Sequence, residues 1–143
     1  MEKYIAKYSQ TNTKKGKNKM NNGKLVLKKC LKCGKIIEEI ESTACDTMCC
    51  GEPMQLVASN STDGAAEKHV PTYEVLEGKI EVSVNHVMDE DHYIEWIKLV
   101  YEDSEKTVYF KPGDEPKAHC KYEPGMKIYA YCNKHGLWVR DVV

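Results

Sequence analysis

Two cysteine pairs set 15 residues apart constrain this chain more than any other feature. They lie in "CLKCGKIIEEIESTACDTMCCGEPM": a C-x-x-C pair, Cys30 and Cys33, and the adjacent pair Cys49 and Cys50, each followed by a glycine, Gly34 and Gly51. A C-x-x-C turn aims two thiolates at one point while its backbone amides donate to the sulfurs, and a second pair completes a tetrahedron of soft ligands. Four such ligands suit zinc or iron, and the motif alone does not choose between them. Such a knuckle also staples a segment too small to bury a core of its own. The chain has seven cysteines, an odd number, and in a reducing compartment the set reads as metal ligands with spare thiols rather than as a disulfide framework. Cys45, in the loop between the pairs, is a spare thiol.

Length bounds what else can be built. A chain of 143 residues with 41% hydrophobic content buries one modest core and a small second module. No apolar run approaches the roughly 20 residues of a membrane span. The start "MEKYIAKYSQ" lacks the apolar centre of a secretory signal, so the expectation is a cytoplasmic protein with no membrane partner. Charge is near balance but unevenly placed: residues 1 to 29 hold nine of the 21 basic residues and one of the 22 acidic ones. Residues 1–23 have almost no apolar periodicity and are expected to be a disordered, solvated tail. No recognition motif or stacking aromatic pattern follows them, so no nucleic-acid partner is expected.

Order is expected from "KLVLKKC" onward, with a small four-cysteine domain over 24–58 and a second domain over 59–143. In the second, "GKIEVSVN" alternates Ile80, Val82 and Val84 with polar residues, "HYIEWIKLVYE" is aromatic and β-branched, and "KTVYF" and "KIYAYC" continue short strands between turns such as "KPGDEP" and "EPGM". Nothing resembles a long amphipathic helix. The fold class expected is mainly β, with an antiparallel sandwich of the immunoglobulin-like type.

Five histidines lie in that second domain. Any lone histidine is most often a surface group or a satisfied core group. Four of them, His69 in "EKHVP", His86 and His92 around "VMDED" and His135 in "YAYCNKHGLW", stand at expected strand ends, and the last shares its segment with Cys132. His119 and Cys120, in "PKAHC", read as ordinary strand-end residues.

The ordered run of C-x-x-C, C-C-G-E-P-M, E-K-H-V-P, H-x-M with H-Y-I-E-W-I, and Y-C-N-x-H-G-L-W resembles the two-iron superoxide reductases, or desulfoferrodoxins, over roughly residues 27 to 140. The resemblance implies a desulforedoxin-like first domain in which Cys30, Cys33, Cys49 and Cys50 hold one iron in a rubredoxin-like centre. It implies a second iron bound by His69, His86, His92 and His135 in a plane, with Cys132 as the axial thiolate. The reaction it implies is one-electron reduction of superoxide by ferrous iron, with two protons, to hydrogen peroxide and without dioxygen. Glu67 and Lys68 match a carboxylate that caps the open position and a lysine that draws in the anion. A rubredoxin-like electron donor and a homodimer belong to the same expectation. An isolated Glu-Lys pair would otherwise read as a solvated surface pair.

Two features depart from the family pattern: Val87 stands where many members have proline, and the basic extension and Cys45 have no counterpart in it. The competing reading is an electron-transfer or zinc-stapled metal-binding module without turnover.

Overall fold

Among the residues that the structure, a computed structural model, describes, 24–61 and 64–143, two compact units meet in sequence between Leu56 and Val57. The lysine-rich tail, residues 1–23, lies outside the described residues. No helix among the described residues is long and apolar enough to cross a membrane.

In the first unit, Leu25 and Leu27 are buried with Cys30 and Met54. Strand β1 (Leu27–Lys29) is the centre of an antiparallel sheet between β2 (Ile36–Glu38) and β5 (Gln55–Leu56), while β3 (Met48–Cys49) and β4 (Glu52–Pro53) form a separate short hairpin. Four buried apolar residues make a small core, and at this size a domain depends on a cross-link or a metal for its stability.

The second unit is a seven-stranded antiparallel sandwich of the immunoglobulin-like type. One sheet has the order β10-β7-β6, from β6 (Thr72–Leu76), β7 (Lys79–Ser83) and β10 (Lys117–Lys121). The other runs β12-β11-β8-β9, from β8 (Ile94–Val100), β9 (Glu105–Tyr109), β11 (Lys127–Cys132) and β12 (Gly136–Asp141). Side chains alternate between the faces of a strand, so Ile80, Val82 and Ala118 enter the core from the first sheet, and Ile97, Leu99, Ile128 and Ala130 from the second. The chain changes sheet between β7 and β8, between β9 and β10 and between β10 and β11, as such sandwiches require.

Two local features set the position of the site. Strand β8 carries a bulge: Cys132 pairs with Ile94 and Tyr131 with Trp96, so Glu95 is the extra residue. This explains why its buried residues begin at Ile94 and resume at Ile97, a spacing of three that simple alternation does not allow. The second feature is the inward row of β11. Cys132 follows Ile128 and Ala130 at intervals of two, so its thiol lies on the core side, fully buried at the end of the strand.

Two expectations are corrected. His119 and Cys120 lie within β10, opposite Glu81 and Ile80 of β7, because pairing continues to Lys121. His69 ends a single helical turn, α1 (Ala66–His69), a segment too short to show a periodic signal in sequence.

Candidate metal centres

The sulfurs of Cys30, Cys33, Cys49 and Cys50 lie within 4.8 Å of one another. Cys33 and Cys49 are 3.7 Å apart and Cys49 and Cys50 4.0 Å apart, sulfur to sulfur. A metal with sulfur ligands at about 2.3 Å has ligand-to-ligand edges of about 3.8 Å in a tetrahedron and about 3.3 Å in a square. The observed edges therefore fit a tetrahedral ion.

Backbone geometry explains why two adjacent cysteines both reach it. Neighbours along a strand point to opposite faces. Because β3 and β4 pair Cys49 with Glu52, Cys50 and Gly51 form a two-residue turn with φ of 52° and 77°. Positive φ at both positions is the turn that hairpin twist favours. Here it brings the Cys50 sulfur round beside that of Cys49. The backbone N–H of Cys33 holds the Cys30 thiol below its ordinary range, while the crowded sulfurs of Cys30 and Cys33 push Cys49 well above its own. Four thiolates repel one another in this space, and a cation relieves that repulsion. Cys45 and Cys120 fall outside both groups of candidate ligands among the described residues.

The second cluster joins three separate segments of the sandwich unit. His69 comes from α1, His86 and His92 from the β7–β8 connection, Cys132 from the end of β11 and His135 from the turn that follows it. His86 Nε2 is 3.1 Å from His69 Nε2, which is 3.0 Å from His135 Nδ1, which is 3.2 Å from His92 Nε2. With metal-nitrogen bonds of about 2.1 Å, a square has edges of about 3.0 Å and a tetrahedron about 3.4 Å. These three consecutive edges fit a square more closely than a tetrahedron. Cys132 Sγ is 3.5 Å from His86 Nε2 and 3.8 Å from His135 Nδ1, the two opposite corners. A sulfur so placed, within 4.8 Å of every nitrogen, lies off the plane and beneath its centre. It also accepts the His135 backbone N–H at 3.4 Å.

In His69 and His86 the ring nitrogen that faces away from the cluster has a partner of its own. His69 Nδ1 donates to the Ala65 carbonyl at 2.7 Å, and His86 Nδ1 to the Val87 carbonyl. Such bonds fix the tautomer and leave each Nε2 lone pair facing the centre. Burial holds His69, His86 and His92 below the ordinary histidine value of 6.5, so these rings are neutral at neutral pH, the form that binds a metal.

Three supporting residues escaped sequence reasoning. The Trp138 indole stacks on His69 with centroids 4.9 Å apart and donates its N–H to the His135 carbonyl at 3.2 Å. Gly64 is so close that a Cβ there would meet His69 Cε1 at 2.9 Å and His135 Cβ at 3.1 Å. Met88 fastens the loop after His86: its sulfur accepts the Ile94 N–H at 3.4 Å and its carbonyl accepts the Gly113 N–H at 2.8 Å. Proline is therefore not needed at Val87 to hold that loop. Trp138 and Met88 were visible in the "HGLW" and "HVM" motifs, but a lone tryptophan or methionine normally reads as core.

Glu67 and Lys68 precede His69 in α1 and are exposed. Glu67 lines an open cleft with Asn60, Thr72 and Arg140. Lys68 has no ion pair among the described residues, and its charge acts on His69.

A square of four imidazoles over one thiolate is not the tetrahedral arrangement that zinc prefers, and with a separate four-thiolate tetrahedron in the same chain it defines a two-centre non-haem iron protein. A sequence model of the desulfoferrodoxin family matches residues 61–141. A desulfoferrodoxin of Nitratidesulfovibrio vulgaris is 43% identical over 114 residues, which span 77% of this chain and 90% of the relative. The chain belongs to the desulfoferrodoxin family, and its two clusters match that family's two iron centres. A superoxide reductase of Pyrococcus horikoshii is 36% identical over 105 residues, spanning 57% of this chain and 91% of the relative. The crystal structure of the superoxide reductase from Treponema pallidum matches 80% of this chain and 98% of its own with a TM-score of 0.61 at 24% identity, a likeness of fold.

Proposed function

We propose that this protein is a superoxide reductase. The observation that carries the reading is the square of nitrogens with a sulfur on one side, because five such donors leave one of six positions for a small oxidant. Bound by that donor set, ferrous iron would supply the one electron with which superoxide and two protons give hydrogen peroxide. Cys132 would hold the iron as its one sulfur donor and supply electron density to it, the role a cysteine plays in haem enzymes. His69, His86, His92 and His135 would hold the iron through the ring nitrogens that face one another. The role of Lys68 is to draw the anion toward the site across an otherwise acidic body, and Glu67 would serve as a carboxylate cap for the bound iron.

In this reading the four-cysteine domain is not needed for the reaction with superoxide itself. A rubredoxin-like carrier as donor, a homodimer and a cytoplasmic setting complete the proposal, and each rests on family likeness. The Pyrococcus relatives named superoxide reductase support the activity. Metal analysis tests the reading against a zinc-stapled module. Protein made in iron-rich medium should carry two irons per chain and absorb visible light through ferric-thiolate bonds. One zinc per chain and a colourless protein would overturn it.

A further inference from the structure

Between Cys132 and His135 the turn carries Asn133, whose side chain makes none of the short-range bonds usual for asparagine in a turn. Its Nδ2 donates to the Asp91 carbonyl at 2.9 Å, and its Oδ1 accepts the Tyr93 N–H at 3.0 Å. These two groups belong to the peptide bonds on either side of His92. The Asn133 backbone N–H adds a third bond, to the Tyr93 carbonyl at 3.2 Å.

We infer that Asn133 is a positioning residue for His92: one amide group brackets both peptides flanking that histidine and fixes its ring against the turn that carries Cys132 and His135. The inference rests on the proposed role of His92 as a ligand. Geometry makes Asn133 the natural link. His92 enters the square through His135, Nε2 to Nδ1 at 3.2 Å, and the two residues come from different connections of the sandwich. Within its own connection His92 is tied only into a tight loop, its N–H and carbonyl bonded to Asp89 at 3.3 and 3.0 Å. Such a loop holds its own shape, and its pairing with β11 begins only at Ile94, two residues after His92. Asn133 supplies placement relative to β11, with an ion pair between Lys134 and Asp91 at 3.4 Å beside it. The ion pair is exposed and contributes little by itself.

Asparagine suits the task because one planar group offers a donor and an acceptor to two successive peptides. Aspartate keeps the acceptor for Tyr93 and loses the donor for Asp91. Alanine loses both.

The test compares the ferric electron paramagnetic resonance signal of the histidine-cysteine site in iron-loaded parent, His92→Ala, Asn133→Ala and Asn133→Asp proteins. It is paired with the rate at which a chelator removes iron from that site. Asn133→Ala should shift the signal toward that of His92→Ala and release iron about 10- to 100-fold faster, the range for groups that orient metal ligands. Asn133→Asp, nearly the same shape and a safeguard should the alanine variant fold poorly, should shift it less. If His92→Ala alters the signal while both Asn133 variants keep the parent signal and release rate, the positioning role is wrong. A parent-like signal in His92→Ala would remove His92 from the site, and this inference with it.

Discussion

Trp138 lies against His69, ring on ring, with 4.9 Å between centroids and 25° between planes. The stack closes one face of a ligand that is itself buried and bonded to Ala65 through Nδ1. A ring held on both sides cannot rotate away from the metal. Trp138→Phe, which keeps an aromatic face, should hold iron nearly as well as the parent. Trp138→Ala, which leaves a void, should lose iron to a chelator about tenfold faster or more and lower stability by about 3–5 kcal/mol. Equal retention in both variants would show that the stack is core packing alone.

Gly64 makes a sharper demand, because no positive φ explains the glycine and the reason is space. A methyl group there would press on His69 Cε1 and on the Cβ and Cγ of His135. Those rings cannot yield without leaving the square. Overpacking of this kind costs about 1–3 kcal/mol, so Gly64→Ala should bind cobalt(II) at the histidine site roughly 5- to 150-fold more weakly. Unchanged affinity in a titration followed by the cobalt spectrum would mean that the loop before α1 has room to move.

Lys68 stands beside His69 on a turn, exposed and without an ion pair among the described residues. An anion approaching the site meets its charge, and salt weakens that attraction. Lys68→Ala should slow the second-order reaction with superoxide by roughly tenfold or more and flatten its dependence on ionic strength. Parent rates with parent salt dependence would reduce Lys68 to a surface lysine.

Metal-free protein should be sensitive to mild acid. Burial lowers the folded-state pKa of His69, His86 and His92 below 6.5, so as pH falls through that value the unfolded chain takes up protons that the folded one refuses. Stability is then fully present above about pH 7 and declines below 6.5. Urea midpoints of the metal-free protein measured from pH 8 to 5 should follow that course. A midpoint that rose with acid would contradict it.

What the sequence showed and what it hid divide along physical lines. Ile80, Val82 and Val84 announce β7, because a period of two is a property of the strand itself. The four histidines and five of the cysteines announce the two donor sets through their residue type and their neighbours. Glu95 is silent: a bulge follows from the register of β8 against β11, and no single segment records a register. Cys50 is similar, since its left-handed φ is set by the hairpin closing around it. Asn133 bonds to residues 40 and 42 positions away, and Gly64 is constrained by rings it meets only after folding. Ligands carry their chemistry in their names, whereas the residues that orient them depend on contacts made across the sandwich.

The most direct test of the proposed activity is product stoichiometry. Iron-loaded, pre-reduced protein is mixed without oxygen with pulse-generated superoxide, and peroxide and dioxygen are both measured. Reduction predicts one hydrogen peroxide for each superoxide consumed, no dioxygen, and the appearance of the ferric-thiolate absorption that Cys132→Ser removes. Half a peroxide for each superoxide, with dioxygen released, would make the protein a dismutase. Superoxide decaying at its uncatalysed rate would leave it a metal-binding module.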